Sequence, residues 1–255
     1  MALGLVDPAA CPFDVERPIM VHRWERLTFL HWPYEARAVQ AVLPPGLEVE
    51  TCDGAAWVGL VPFLMRVGVP SGPGVRWFAR FCETNVRTYV RDAAGRSGIW
   101  FFSLDAADLP AVLTARATYR LPYFWSAMTL DDSGDRVQYV CQRRWPGPNG
   151  ARSRVVVDIG APYEPTALGE LDHFLTARWR LFSVRGARHR SARAAHAPWP
   201  LHRAAAVEVD DQLVTAAGLH RPEGDPLVHY SPGVTVRIGR PEGRPEGRFP
   251  PVAQT

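Results

Sequence analysis

The segment 81–90, FCETNVRTYV, concentrates side chains suited to chemistry. Its odd positions carry Glu83, Asn85, Arg87 and Tyr89, and its even positions carry Cys82, Thr84, Val86, Thr88 and Val90. Extended backbone sends these two sets to opposite faces. If the odd face lines a cavity, it is a ligand site. A carboxylate beside a guanidinium is held ionised by the pair, or becomes a weak acid with a raised pKa if the pair is broken. The same spacing also fits a solvent-facing strand with a cross-strand ion pair, so both readings stand at this point.

The elements around this segment must form its frame. Residues 23–32 alternate as a strand, with Leu27, Phe29 and His31 on one face, and Pro33 is expected to end it. A short helix is expected over 35–42, then a turn and strand over 52–67, then a loop over 68–74. After the turn 92–98, the run 99–106 is apolar on both faces and reads as a central strand. A helix follows over about 107–118, with Asp105 or Asp108 near its start, and it ends before 121–125. Strands are expected at 136–145, 153–160, 203–209 and 232–238. A helix capped by Thr166 is expected over 166–182. Many short strands with few helices indicate an α+β domain, mostly antiparallel β, either barrel-like or built of packed sheets. The division is an irregular arm (1–20), a single domain (21–239) and a disordered tail (240–255) built on a repeated R-P-E-G.

Composition removes several chemistries. The chain has 255 residues, and all 29 of its Lys and Arg residues are arginine. Without lysine there is no lysine Schiff base, no pyridoxal-phosphate aldimine on lysine and no P-loop or kinase-type lysine. A net charge of +3 agrees with an anionic small-molecule ligand and gives no sign of a specific nucleic-acid binder. Four widely spaced cysteines form no CxxC, so neither a zinc knuckle nor a disulfide framework is expected. No apolar run is long enough to span a membrane and no signal segment is evident, which points to a cytoplasmic protein without a membrane partner. No GxSxG, GxGxxG or HExxH motif occurs, no cofactor is implied, and His189, His196 and His202 have no metal-ligand spacing. Seven arginines between 178 and 203, with no acid among them, read either as a solvated loop (183–196) or as a surface for phosphate-rich partners. Among the tryptophans, Trp32, Trp57 and Trp125 suit either core packing or the aromatic wall of a pocket.

Several collinear runs, LTFLHWPYEARAVQAVLPPGLEVETCDGAAWVGLVPFLM (27–65), FCETNVRTYVRD (81–92), GIWFFSLDA (98–106), LPYFWSAM (121–128), DHFLTARWRLFS (172–183) and HAPWPLHRA (196–204), resemble the YqjF-like family of bacterial proteins, within the acetoacetate decarboxylase-like superfamily. The resemblance implies a closed or cone-shaped antiparallel β-barrel with a few outer helices and a ligand cavity inside. It also implies that Glu83 and Arg87 point into that cavity. The superfamily's decarboxylases carry their imine-forming lysine on a turn whose counterpart here is Leu121-Pro122-Tyr123, so imine-based decarboxylation is unavailable. Cys82 stands where relatives tend to have Pro, and Ala177 and Trp179 where they tend to have Glu and Tyr.

Two main readings of function follow. In the first, a lysine-independent acid–base enzyme of lyase, hydratase or isomerase type acts on a carboxylated or oxo metabolite. Glu83 is then the acid or base, Arg87 grips an anionic group, and Tyr123 completes the catalytic set. Asn85, Tyr89, Arg116, Arg120, His31, Trp32, Trp57 and Trp125 are the expected substrate-binding residues. In the second, the same cavity belongs to a non-catalytic carrier or sensor of a hydrophobic or aromatic metabolite. Homo-oligomerisation is compatible with either. A third reading is an interaction protein that uses the arginine cluster to dock on nucleic acid or an anionic surface.

Overall fold

In the computed structural model, residues 9–147, 149–185 and 188–243 are described. The strands are β1 (Met20–Tyr34), β2 (Leu47–Val49), β3 (Thr51–Cys52), β4 (Ala55–Ser71), β5 (Gly74–Asp92), β6 (Ser97–Ala106) and β7 (Tyr123–Asp132), then β8 (Arg136–Trp145), β9 (Arg152–Pro162), β10 (Arg180–Arg185), β11 (Arg188–Ala195), β12 (His202–Asp211), β13 (Leu227–Ile238) and β14 (Glu242–Gly243). The helices are α1 (Ala36–Gln40), α2 (Leu109–Thr118), α3 (Glu170–Thr176) and α4 (Leu213–Ala216). All strands join one sheet, which pairing of β5 with β6 and of β11 with β13 makes ring-like. Its ladders are antiparallel except β6–β7 and β6–β10. The expected α+β, mostly antiparallel fold is therefore present. No helix among the described residues is long and apolar enough to cross a membrane.

Strands β1, β4 and β5 are buried on both faces. One face packs Leu30, Trp32, Val58, Leu60 and Val86 against Val137, Tyr139, Val155 and Val157. The opposite face packs Leu27, Phe29, Val61, Phe63, Met65 and Phe81 with Val236 and Trp199. Each fully buried side chain of this size contributes about 1.5–3 kcal/mol. The sheet thus has one filled side and one side that must be shaped by what β5 presents there.

The structure corrects several local expectations. Pro33 does not end β1, because pairing with β13 stops at His31–Leu227 and the missing N–H falls where β1 keeps only β4 as neighbour. The expected loop 68–74 is strand up to Ser71 and again from Gly74, with a register shift at Val67/Gly68 absorbing the irregular residues. Strand β7 begins at Tyr123, inside the segment read as a turn.

The segment 166–182 is helical over less of its length than expected. The helix occupies only Glu170–Thr176, after a 3₁₀ turn at Pro165–Ala167. It is capped by the Asp172 carboxylate accepting from Gly169 N–H at 2.8 Å. Its last carbonyls are claimed from outside: Leu175 O accepts from Tyr89 and Arg87, and Thr176 O accepts from Trp199. The chain then enters β10, which pairs with β11 as a hairpin where a solvated loop was expected. The arginines find acids distant in sequence, Arg178 with Glu50, and Arg180 and Arg193 with Glu242. Glu242 belongs to β14, so the expected tail is ordered at its start, and residues 244–255 lie outside the described residues.

Candidate active site

On the face of β5 away from the filled core, Glu83, Asn85 and Arg87 line a cavity of about 490 Å³. The register sets Val61 beside Asn85, Phe63 beside Glu83 and Met65 beside Phe81, and these apolar partners form the adjoining wall. Across β6, Ile99, Phe101 and Leu104 contribute, and α2 covers part of the opening with Ala111, Thr114 and Thr118. Helix α2 is held at its start by Asp108, whose carboxylate accepts from Ala111 N–H at 2.8 Å.

Glu83 is buried, and Tyr123 donates its hydroxyl to Oε2 at 3.0 Å. Burial pushes the carboxyl up from 4.5 to about 8, against the pull of that hydrogen bond, and the nearby Asp105 charge pushes the same way. Glu83 is therefore mostly a neutral acid at pH 7. The Tyr123 phenol is itself held well above its usual range, first by burial, and stays a donor. With Oε2 accepting, the acidic proton belongs on Oε1.

Arg87 is also buried, yet no carboxylate pairs with it among the described residues. Its Nη2 donates to Leu175 O at 3.2 Å and to the Tyr89 hydroxyl at 3.3 Å, while Nε has no partner. The guanidinium lies 5.1 Å from the Phe29 ring centroid. Asn85 Oδ1 is likewise without a partner. Among the described residues no carboxylate offsets the buried Arg87 charge at the cavity wall, and Glu83, four residues along the same strand face, is a neutral acid.

Tyr89 and His31 lie beneath this layer instead of in the cavity wall. The Tyr89 O–H donates to Leu175 O at 2.6 Å, so His31, 2.6 Å from the same oxygen, must donate from Nε2. Gly59 makes room: a Cβ there would stand 2.8 Å from His31 Nε2. Arg120 and Tyr123 line the cavity. Arg116 does not; it donates to the Tyr123 carbonyl at 2.6 Å and stacks on Trp145, which holds the strand that carries Tyr123. Trp32 sits on the filled side and donates to Gly224 O, Trp57 donates to Cys52 O, and Trp125 packs in the apolar cluster, so none of the three forms the pocket's aromatic wall.

Sequence reasoning missed His22 and Trp24, which line the cavity. Arg26 adopts a positive φ and the β1–β4 register slips between Glu25 and Leu30. Alternation counted back from Leu27 therefore points Arg23 and Glu25 inward, when they form an ion pair with each other and Arg23 is largely exposed. The break in phase at Glu25-Arg26 was the available signal. Burial lowers His22 to about 4, so it is neutral, and neither of its ring nitrogens has a partner. Of the two acids expected near the start of α2, Asp108 caps the helix, and Asp105 forms a fully buried ion pair with Arg143, at 2.8 Å from Nε and 2.7 Å from Nη2, and accepts from Ser126 at 2.8 Å. No metal-ligand cluster of three or more occurs among the described residues, His196 and His202 included.

Residues 21–235 match the DUF2071 family, described as an uncharacterized conserved protein. The chain is 36% identical over 217 residues to the uncharacterized protein YqjF of Bacillus subtilis (strain 168), covering 84% of this chain and 87% of that protein. Among solved structures, the enduracididine biosynthesis enzyme MppR, complexed with the condensation product of pyruvate and imidazole 4-carboxaldehyde, is similar with a TM-score of 0.61 at 12% identity, covering 89% of each chain. An acetoacetate decarboxylase-like enzyme from Sphingomonas wittichii RW1 is similar with a TM-score of 0.60 at 13% identity, covering 89% of this chain and 93% of that one. These likenesses place the fold with the acetoacetate decarboxylase-like enzymes.

Proposed function

We propose that this chain, which belongs to the DUF2071 family, binds a small carboxylated metabolite in its cavity and exchanges a proton with it through Glu83. The observation that carries the reading is Arg87, a buried guanidinium without a carboxylate partner among the described residues. An arginine stays charged at any working pH, and burying it unpaired is costly unless a ligand supplies the counter-charge. Glu83 cannot do so while protonated. The ligand's carboxylate then sits at Arg87 and Asn85, and its reacting end lies against Glu83 Oε1.

Glu83 gives its proton to a developing alkoxide or enolate oxygen, or takes one from carbon when ionised, and Tyr123 fixes Oε2 throughout. With a pKa near 8 both forms are accessible near neutral pH. This suits isomerisation, hydration or dehydration. No imine forms, because the chain has no lysine. The fold relative MppR is complexed with pyruvate, an oxo acid, which supports the choice of ligand class.

A carrier or sensor would share the anion grip, and the largely apolar cavity wall favours that second reading. A thermal-shift screen of oxo, hydroxy and aromatic acids tests the common premise, since ligand at 100 times its Kd adds about 2.7 kcal/mol of stability. A shift lost in Arg87→Met supports the site, and equal shifts in both proteins overturn it. Turnover abolished in Glu83→Gln with affinity kept identifies the enzyme.

A further inference from the structure

Beyond Glu83 the cavity changes character. Toward the β4–β5 turn, the inward positions of β5 are Phe81 and Ala79, and their partners on β4 are Met65 and Val67. This stretch of wall carries no charge, and four residues of strand from Glu83 to Ala79 span about 13 Å. His22, level with Val67 on β1, is held neutral there by burial. Phe78 falls at the register irregularity between Val67 and Gly68 and lines the cavity while 63% exposed, an apolar ring at its opening. A short oxo acid held at Arg87 and Glu83 leaves this trough unfilled.

We propose that the ligand is a long-chain aliphatic acid, its carboxylate at Arg87 and its chain laid along Phe63, Met65, Phe81 and Ala79 toward Phe78. This rests on the reading of Arg87 given above and adds the substrate class. With Asp108, Arg120 and Arg190 lining the cavity from other elements, the β4–β5 wall itself carries a cation at its inner end and an uncharged stretch at its outer end, which matches a molecule with one charge and one apolar end.

The test is calorimetric titration of the intact protein with straight-chain alkanoates from butanoate to hexadecanoate and with the matching primary alcohols. Affinity is expected to rise about fourfold per methylene while the trough fills, and then to stop rising. Ala79→Trp, which narrows the outer trough away from Arg87 and Glu83, is expected to move that limit to shorter acids and to leave butanoate affinity unchanged. Alcohols are expected to bind more weakly than acids of equal length, a difference lost in Arg87→Met. Butanoate and decanoate binding equally well, with Arg87→Met weakening both, overturns the chain assignment and keeps the anion site. Acids of every length failing to bind overturns both.

Discussion

Tyr123 and Glu83, forty positions apart on β7 and β5, meet through a 3.0 Å hydrogen bond in which the phenol donates to the carboxyl Oε2. The bond favours the ionised form, so it holds Glu83 below the value that burial alone would set. In Tyr123→Phe the Glu83 pKa is expected to rise above about 8, by roughly one pH unit. Carbon-13 NMR titration of the Glu83 carboxyl checks this. A fall in pKa would contradict the assigned donor.

Glu83 also makes stability depend on pH. Its folded pKa of about 8 exceeds its ordinary 4.5, so between these values the folded state keeps a proton that the unfolded state has lost. Stability from this group is complete below pH 4.5, falls as pH rises to about 8, and is flat above. Across that window the loss amounts to about 1.4 kcal/mol for every pH unit. Denaturant titration of wild type against Glu83→Gln is expected to show the variant gaining relative stability across this window. Parallel curves would contradict the raised pKa.

Asp105 and Arg143 form a sealed pair, so losing one partner leaves a buried charge. Arg143→Met is expected to cost about 3–5 kcal/mol. Adding Asp105→Asn should recover much of it, because the orphaned charge goes too. Urea unfolding of the single and double variants measures the recovery.

Gly59 lies between His31 and Arg87 in register on adjacent strands. A methyl group there meets His31 Nε2 at 2.8 Å, so Gly59→Ala is expected to cost about 1–3 kcal/mol and disturb the His31–Tyr89 bond. Thermal unfolding and the His31 ring-proton resonance report the two effects.

Much of the cavity's inner end was legible in the sequence because a regular strand has a strict period: once β5 was recognised, Glu83, Asn85 and Arg87 had to share a face. The irregular positions were not. A positive φ at Arg26 reverses the phase of β1 and hides His22 and Trp24. The end of α3 is set by Tyr89, Arg87 and Trp199 reaching its carbonyls from distant strands, which no local period records. The arginine run looked unbalanced because its acids, Glu50 and Glu242, lie far away in sequence. The three tryptophans were aromatic enough for a pocket wall, but apolar packing uses the same side chains, and their faces were decided by pairings the sequence does not print.

The most direct measurement is the affinity for a bound carboxylate as a function of pH, in wild type, Arg87→Met and Glu83→Gln. If the anion needs charged Arg87 together with a neutral Glu83, wild-type Kd is level below about pH 8 and rises about tenfold per pH unit above it. Glu83→Gln then shows no such rise, and Arg87→Met binds weakly throughout. A Kd that ignores both pH and the loss of the guanidinium contradicts the account.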